Sequence, residues 1–338
     1  MKEKSNESAL MITWSKITAV TGKYTIYIIL LVLIAIFAIA ESAFLTPTNM
    51  VNLMTSEAAR GMLAFGVAFC IIARGIDLSL GSVIALSSVF SASLVQELSY
   101  PTLILPNLVH IPAWTAVLVG LAAGTLFGLL NGILIAYTKI PPFIATLGSQ
   151  VIARGLALMY TNAYPVPMLR KDFTAIGQNL FLGVIPYIVV VFLLFLLASY
   201  IMLNHTRFGK NVYAIGGNSE AARAAGIKVE RNLVAIYTWS AFTAAAAGVM
   251  MTARSASGIS TLGTGYELDA IAAATVGGVS HLGGVGTIVG VFGGILVLGV
   301  INNGLLIMGV SPYLQQIIKG AIIVIAVVFD MRKIARRA

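Results

Sequence analysis

The sequence predicts an all-α, polytopic integral membrane protein, and three observations carry that prediction. Hydrophobic residues make up 59% of the chain and charged residues only 10%, where a soluble domain carries about 25% charged, and the mean hydropathy is +0.95. Apolar runs able to enter a bilayer recur from 24 to 329, about ten of them. The basic residues behind the net charge of +9 gather in three clusters beside those runs, at the two ends and in one central loop. That is a positive-inside pattern, so the charge reports orientation and implies no nucleic-acid partner.

In chain order, 1–23 is mixed and basic, with Lys2, Lys4, Lys16 and Lys23, and 24–40 is nearly uninterrupted apolar sequence. Ala38-Ile39-Ala40 has the form of a signal-peptidase site, but the run is long for a signal peptide and no soluble domain follows, so it is read as the first span. Further runs at 55–73, 79–94, 113–137, 143–160 and 180–203 lead to the polar loop 204–231. After it come 233–253, 268–279, 284–308 and 313–329, then Arg332, Lys333, Arg336 and Arg337. An even number of spans, about ten, places both termini and the loop on one side, the cytoplasmic one, as all three basic clusters require. Arg170 and Lys171 fall outside, against the rule, and the run 268–279 is too short to span alone. The whole chain, 1–338, is expected to form a single transmembrane domain.

Within 204–231, Asn218 is a good N-cap, Glu220 complements the positive end of a helix dipole, and Gly226 is placed to end what Ala221 to Ala225 propagate. The pattern predicts a helix of about two turns, too short to stand alone in water and therefore held by its flanks. By itself it could be an ordinary interhelical loop or a docking element.

Gly120, Gly124, Gly128 and Gly132 recur every fourth residue, as do Gly286, Gly290 and Gly294, so each set is expected to line one helix face and admit a close neighbour. Gly128-Leu129-Leu130-Asn131-Gly132 precedes Pro141-Pro142-Phe143, and Gly299 to Asn302-Asn303-Gly304 precedes Ser311-Pro312-Tyr313. With the first helix running inward and the second outward, the pair is a candidate inverted repeat.

Arg74-Gly75-Ile76-Asp77-Leu78-Ser79-Leu80-Gly81-Ser82 puts charges, hydroxyls and glycines between apolar runs. A charge at membrane depth costs at least about 2.5 kcal/mol, so Arg74 and Asp77 are expected to pair or to face a wet cavity, unless the stretch is an interfacial turn. Arg154 and the Glu267/Asp269 pair pose the same choice. The glycine-rich stretch 277–287 suggests a phosphate loop but lacks the Lys-Ser/Thr pair, and no Walker A motif occurs anywhere. Any ATP must be bound by another polypeptide. The single cysteine, Cys70, excludes an intrachain disulfide, His110, His205 and His281 lack ligand spacing, and no nucleophile or base constellation points to an enzyme.

Three strings together carry a resemblance over nearly the whole chain: Gly75-Ile76-Asp77-Leu78-Ser79-x-Gly81-Ser82, Gly216-Gly217-Asn218-x-Glu220-Ala221-Ala222-Arg223-x-x-Gly226-Ile227, and Gly265-Tyr266-Glu267-Leu268-Asp269-Ala270-Ile271-Ala272-Ala273. They resemble the permeases of ribose-type sugar ABC importers. The resemblance implies that Asn218, Ser219, Glu220, Ala221, Ala222, Arg223 and Gly226 form the coupling helix that docks on an ATPase subunit. It also implies a pathway or membrane motif at Gly75, Asp77, Ser79, Gly81, Ser82, Asn131, Asn302 and Asn303. Asn204-His205-Thr206-Arg207, Arg154-Gly155 with Met159-Tyr160-Thr161-Asn162, and Asn302-Asn303-Gly304-Leu305 look like ribose permeases, while Thr206-Arg207-Phe208-Gly209-Lys210-Asn211 and Gly283-Gly284-Val285-Gly286-Thr287 look like the galactoside branch. Arg74 stands where the family often has glycine or another small residue.

The function implied is import of a monosaccharide such as ribose, with galactose or methyl galactoside as the other sugar, by alternating access and without chemistry on it. The partners implied are the ATPase subunit, a second permease copy or paralogue, and a periplasmic or surface sugar-binding protein. A self-sufficient secondary transporter is the rival, and would need a coupling ion at a charge such as Asp77 or Glu267.

Overall fold

The computed structural model describes residues 25–335 apart from Leu108; the basic residues expected to orient the ends, Lys2, Lys4, Lys16, Lys23, Arg336 and Arg337, lie outside the described residues. The chain runs α1 Thr25–Ala40, α2 Pro47–Ile72, α3 Leu80–Ser93, α4 Ala113–Thr138, α5 Pro142–Tyr160, α6 Lys171–Gln178, α7 Tyr187–His205, α8 Arg207–Gly217, α9 Ser219–Ala224, α10 Val229–Ser255, α11 Tyr266–Val276, α12 Ile288–Ile307 and α13 Pro312–Ala335. Among the described residues six helices, α2, α4, α5, α7, α10 and α12, are long and apolar enough to cross a bilayer unaided. The remaining apolar helices, α1, α3, α11 and α13, supply shorter segments. At 11 residues, α11 rises only about 16 Å, roughly half the hydrocarbon core.

The run 180–203 is not one span. Leu180–Phe181 and Ile185–Pro186 pair as the antiparallel hairpin β1–β2, and α7 starts only at Tyr187. Leu182 and Gly183 both have positive φ, 52° and 73°, and with Val184, whose amide bonds the Phe181 carbonyl, they make the three-residue loop of the hairpin. Pro186 biases its predecessor to extended backbone and stands as the N-cap of α7. The loop 204–231 also holds one helix more than expected, α8, whose Thr206 cap accepts a hydrogen bond from the Gly209 amide at 3.2 Å.

Close approach decides the packing. A Cβ on Gly120 would meet Val249, on Gly124 Ala245, on Gly128 Ala241, and on Gly132 Val234, so the whole first ladder lies along α10 with the two helices antiparallel. In the second ladder Gly290 and Gly294 pack on the backbone at Gly277 and Ala273 of α11. Gly286 departs from the expectation: it precedes the Thr287 cap of α12, outside the helix, at φ 157°.

Two sets of five helices, α1–α5 and α7 with α10–α13, repeat the same packing. α4 lies on α10 as α12 lies on α2, and α3 lies on α10 as α11 lies on α2. α3 runs parallel to α10, since Ser88 bonds Thr252 and Gly258 packs on Ala92. α11 runs parallel to α2, since Arg60 bonds Asp269 while Ile72, a helix end later, receives the Gly284 amide just beyond α11. α2 is the centre and is buried along most of its length, whereas α5 and α7 are mostly exposed, so the latter leave apolar faces for lipid or for another chain.

Candidate functional site

The projecting element is α9. The Asn218 side chain accepts from the Glu220 and Ala221 amides, each at 3.0 Å, which caps the helix as the sequence predicts. Gly226 takes φ 84° and closes it, with its amide on the Arg223 carbonyl and the Ile227 amide on Ala222. Of the helix only Ala222 is buried; Ser219, Ala221 and Arg223 face outward, and the Glu220 side chain is 80% exposed. Arg223 donates to Glu220 at 2.8 Å and to Glu230 at 2.5 Å, stapling α9 to the first turn of α10. Glu230's own backbone amide, with the Arg223 guanidinium, holds its carboxyl below the usual range, and the Glu230 and Glu220 bonds raise Arg223 in turn. Exposed pairs of this kind add little stability, so what they supply is position.

Beneath α9, three segments meet. Arg74 donates from Nε to the Leu282 carbonyl at 2.6 Å and from Nη2 to the Gly217 carbonyl at 2.9 Å. The Gly284 amide bonds the Ile72 carbonyl at 2.8 Å, and Tyr213 of α8 bonds the Gly286 carbonyl at 2.7 Å. Gly216 has no room for a Cβ, because the Ile72 carbonyl and the Gly284 amide occupy that space. The end of α8, the end of α2 and the glycine-rich stretch 277–287 therefore form one joint. The backbone of that stretch packs on protein here and does not form the open cradle of a phosphate loop.

Arg74 and Asp77 do not pair. Arg74, at φ 63°, turns out to the α8 joint, whereas Asp77 is fully buried and accepts from the Ser79 amide at 3.0 Å and hydroxyl at 2.6 Å. Ser79 receives the Asn131 amide at 3.1 Å, and Asn131 accepts from Ser149. Ser82 is likewise buried, while Gly75 lets Tyr237 approach and Gly81 lets Glu267 approach, each where a side chain would stand. The break between α2 and α3 is thus a buried polar joint to α4 and α5. Asn302 and Asn303 do not join it: Asn303 exchanges amide bonds of 2.8 and 2.9 Å with Asn49, and Asn302 lines a small cavity elsewhere.

That cavity exposes what the sequence reading missed. Arg60, near the middle of α2, bonds Glu57 at 2.6 Å and Asp269 at 3.1 Å, stacks 4.8 Å above the Tyr266 ring, and shares Asp269 with Lys319 at 3.3 Å. Two cations and two carboxylates from α2, α11 and α13 thereby neutralise one another at membrane depth. Glu267 belongs to a separate group: Gln150 donates to it at 3.1 Å, while Arg154 binds the carbonyls of Ser260, Leu262 and Gly81 at 2.7, 3.1 and 3.0 Å. Arg154 ties the start of α3 to the loop before α11. At the opposite end of the molecule, Arg170 is buried and bonds Asp172 and the Ile111 carbonyl, which accounts for a basic residue there.

A family profile described as branched-chain amino acid transport system / permease component matches residues 49–327. The chain belongs to this family. It is 42% identical over 318 residues to the galactose/methyl galactoside import permease protein of Haemophilus influenzae, covering 92% of this chain and 95% of that one. The ribose import permease protein of Bacillus subtilis is 41% identical over 308 residues, 90% and 92% of the two chains, and that of Escherichia coli 39% over 314 residues, again 90% and 92%. No solved structure matches the chain. Membership makes the protein a multi-pass membrane permease, in agreement with its helices.

Proposed function

We propose that this chain is the transmembrane permease subunit of an ABC importer that carries a monosaccharide, ribose or a galactoside, across the inner membrane. The observation that carries the reading is α9. It is a capped, stapled helix with one buried residue and an outward carboxylate, mounted on a joint that reaches the buried break between α2 and α3. The cap and the staple hold its outward face as a preformed surface beside the basic loop residues, which suits a docking element. The import activity and the sugar come from the relatives' names, and their near-equal identities, 42% and 41%, leave pentose and hexose as the two cargo classes.

In this reading an ATPase subunit docks on α9 and holds the ATP, so the permease itself carries no cofactor and no catalytic residue. The α9 side is cytoplasmic, as Arg207, Lys210, Arg223, Lys228 and Arg231 require, and both termini lie there too. A second copy or paralogue covers the partly exposed face where Gln150, Arg154 and Glu267 stand at membrane depth, and a sugar-binding protein delivers cargo at the opposite end. ATPase closure moves α9, Arg74 carries the movement to the α2–α3 break, and the two five-helix sets reorient around the pathway between copies.

Uptake of labelled ribose or galactose into vesicles holding the assembled transporter tests the reading against an ion-coupled carrier. It predicts loss of uptake on ATP depletion and no loss with an ionophore at constant ATP. Collapse with the ionophore alone would assign coupling to an ion.

A further inference from the structure

Outside the joint and the ion network, the molecule has an open groove of about 680 Å³ lined by α4, α7, α8 and α10, a volume within the roughly 300–1,000 Å³ of ligand sites. From α10 it takes Arg231, Ala235, Thr238, Trp239 and Phe242, the recurrence of one helix face. The groove is almost wholly apolar except at one end, where Arg231 stands exposed and, among the described residues, without a carboxylate partner. From Arg231 to Phe242 the helix rises about 16 Å, which matches half of a hydrocarbon core of about 30 Å. The groove therefore runs from headgroup level to the bilayer midplane, within the leaflet on the α9 side. Trp239 lies along it, packed at tilted angles against Phe195 and Phe242 and edge-on against Phe69.

We propose that this groove is a binding site for one anionic glycerophospholipid, with its phosphate on Arg231 and an acyl chain along Thr238, Trp239 and Phe242. Charge and depth select this occupant over a second copy of the chain. Two copies in one membrane are related by an axis along its normal, so each presents to the other the same depth. The Asn211–Asn232 bond of 3.2 Å ties α8 to α10 beside Arg231, so that depth carries the exposed basic residues Arg207 and Lys210, while Glu230 is already paired with Arg223, and two such faces repel. An anionic headgroup meets the guanidinium, and the acyl chain meets an aromatic wall that would otherwise face lipid without complementarity.

Quenching of Trp239 tests the site directly. The chain has three tryptophans, so Trp14→Phe with Trp114→Phe leaves Trp239 as the sole reporter in the full-length protein reconstituted into bilayer discs. Brominated phosphatidylglycerol should quench it at about fivefold lower mole fraction than brominated phosphatidylcholine, the preference one basic side chain supplies. Arg231→Gln should remove the preference, and Arg231→Lys should keep most of it. Equal quenching by the two lipids would reduce the groove to ordinary annular surface, and no quenching by either would mean that protein covers it. Either result, or a preference that survives Arg231→Gln, overturns the assignment.

Discussion

At the residue scale the consequential side chains are those that tie separate segments together. Arg74 makes two bonds, to the end of α8 and to the glycine-rich stretch, from one planar guanidinium, a geometry that lysine cannot reproduce. On the proposed function, Arg74→Gln is expected to leave ATPase association intact while uptake falls at least severalfold, because α9 stays and its link to the α2–α3 break goes. Pull-down and uptake on the same preparation check this, and wild-type uptake would remove Arg74 from the coupling path. Asp269 receives both Arg60 and Lys319, so Asp269→Asn takes the carboxylate from Lys319 and leaves Arg60 with Glu57 alone. The expected loss is about 3 kcal/mol, the low end for a broken buried pair, because its side chain is 18% exposed. A thermal midpoint unchanged in detergent would count against a structural network. None of this group except Asp269 was legible in the sequence. Glu57 and Arg60 are isolated charges inside an apolar run, and their partners lie on α11 and α13, where only folding brings them. Asp77 was legible as a problem but not in its solution, because its natural partner by sequence, Arg74, is turned away by a positive φ.

At the element scale the glycine spacing gave sound guidance wherever a helix continued through it. The first ladder lies along α10 throughout, and a Cβ at Gly128 would collide with Ala241 and with the Tyr237 carbonyl. Gly124→Leu or Gly128→Leu is expected to reduce the yield of folded, monodisperse protein strongly. Leu126→Ala, at a position 52% exposed, and Gly148→Ala, with nothing within 4 Å of the added carbon, are expected to be tolerated. Size-exclusion profiles of the four variants decide it, and equal profiles would show that the ladder does not set the packing. Where periodicity failed, backbone chemistry had overridden it. Pro186 and the positive-φ turn at Leu182 and Gly183 cut a hairpin out of an apolar run, and Thr287 starts α12 after Gly286. The short helix at 219–224 was the most legible element, because Asn218 and Gly226 mark both of its ends by local chemistry that needs no tertiary partner.

At the scale of the whole molecule, composition and runs sufficed for an all-helical membrane protein, and the weak repeat of 128–132 with 299–304 pointed to two related halves. What the sequence could not show is that the halves interlock, each half-length helix lying on the long helix of the other set. Orientation still rests on charge, and a single cysteine reads it. Because Cys70 is buried, Asn218→Cys in a Cys70→Ala background should react with an impermeant maleimide only from the cytoplasmic side. Labelling from outside would invert the topology. The central claim is that α9 docks an ATPase that drives import, and charge reversal at its most exposed carboxylate tests that claim most directly. Glu220→Arg touches no span and faces solvent, so the protein should insert and fold. Its ATPase partner should be lost on purification and its sugar uptake abolished, while Ser219→Ala stays close to wild type. Co-purification of the partner with Glu220→Arg at wild-type stoichiometry, together with wild-type uptake, would contradict the account.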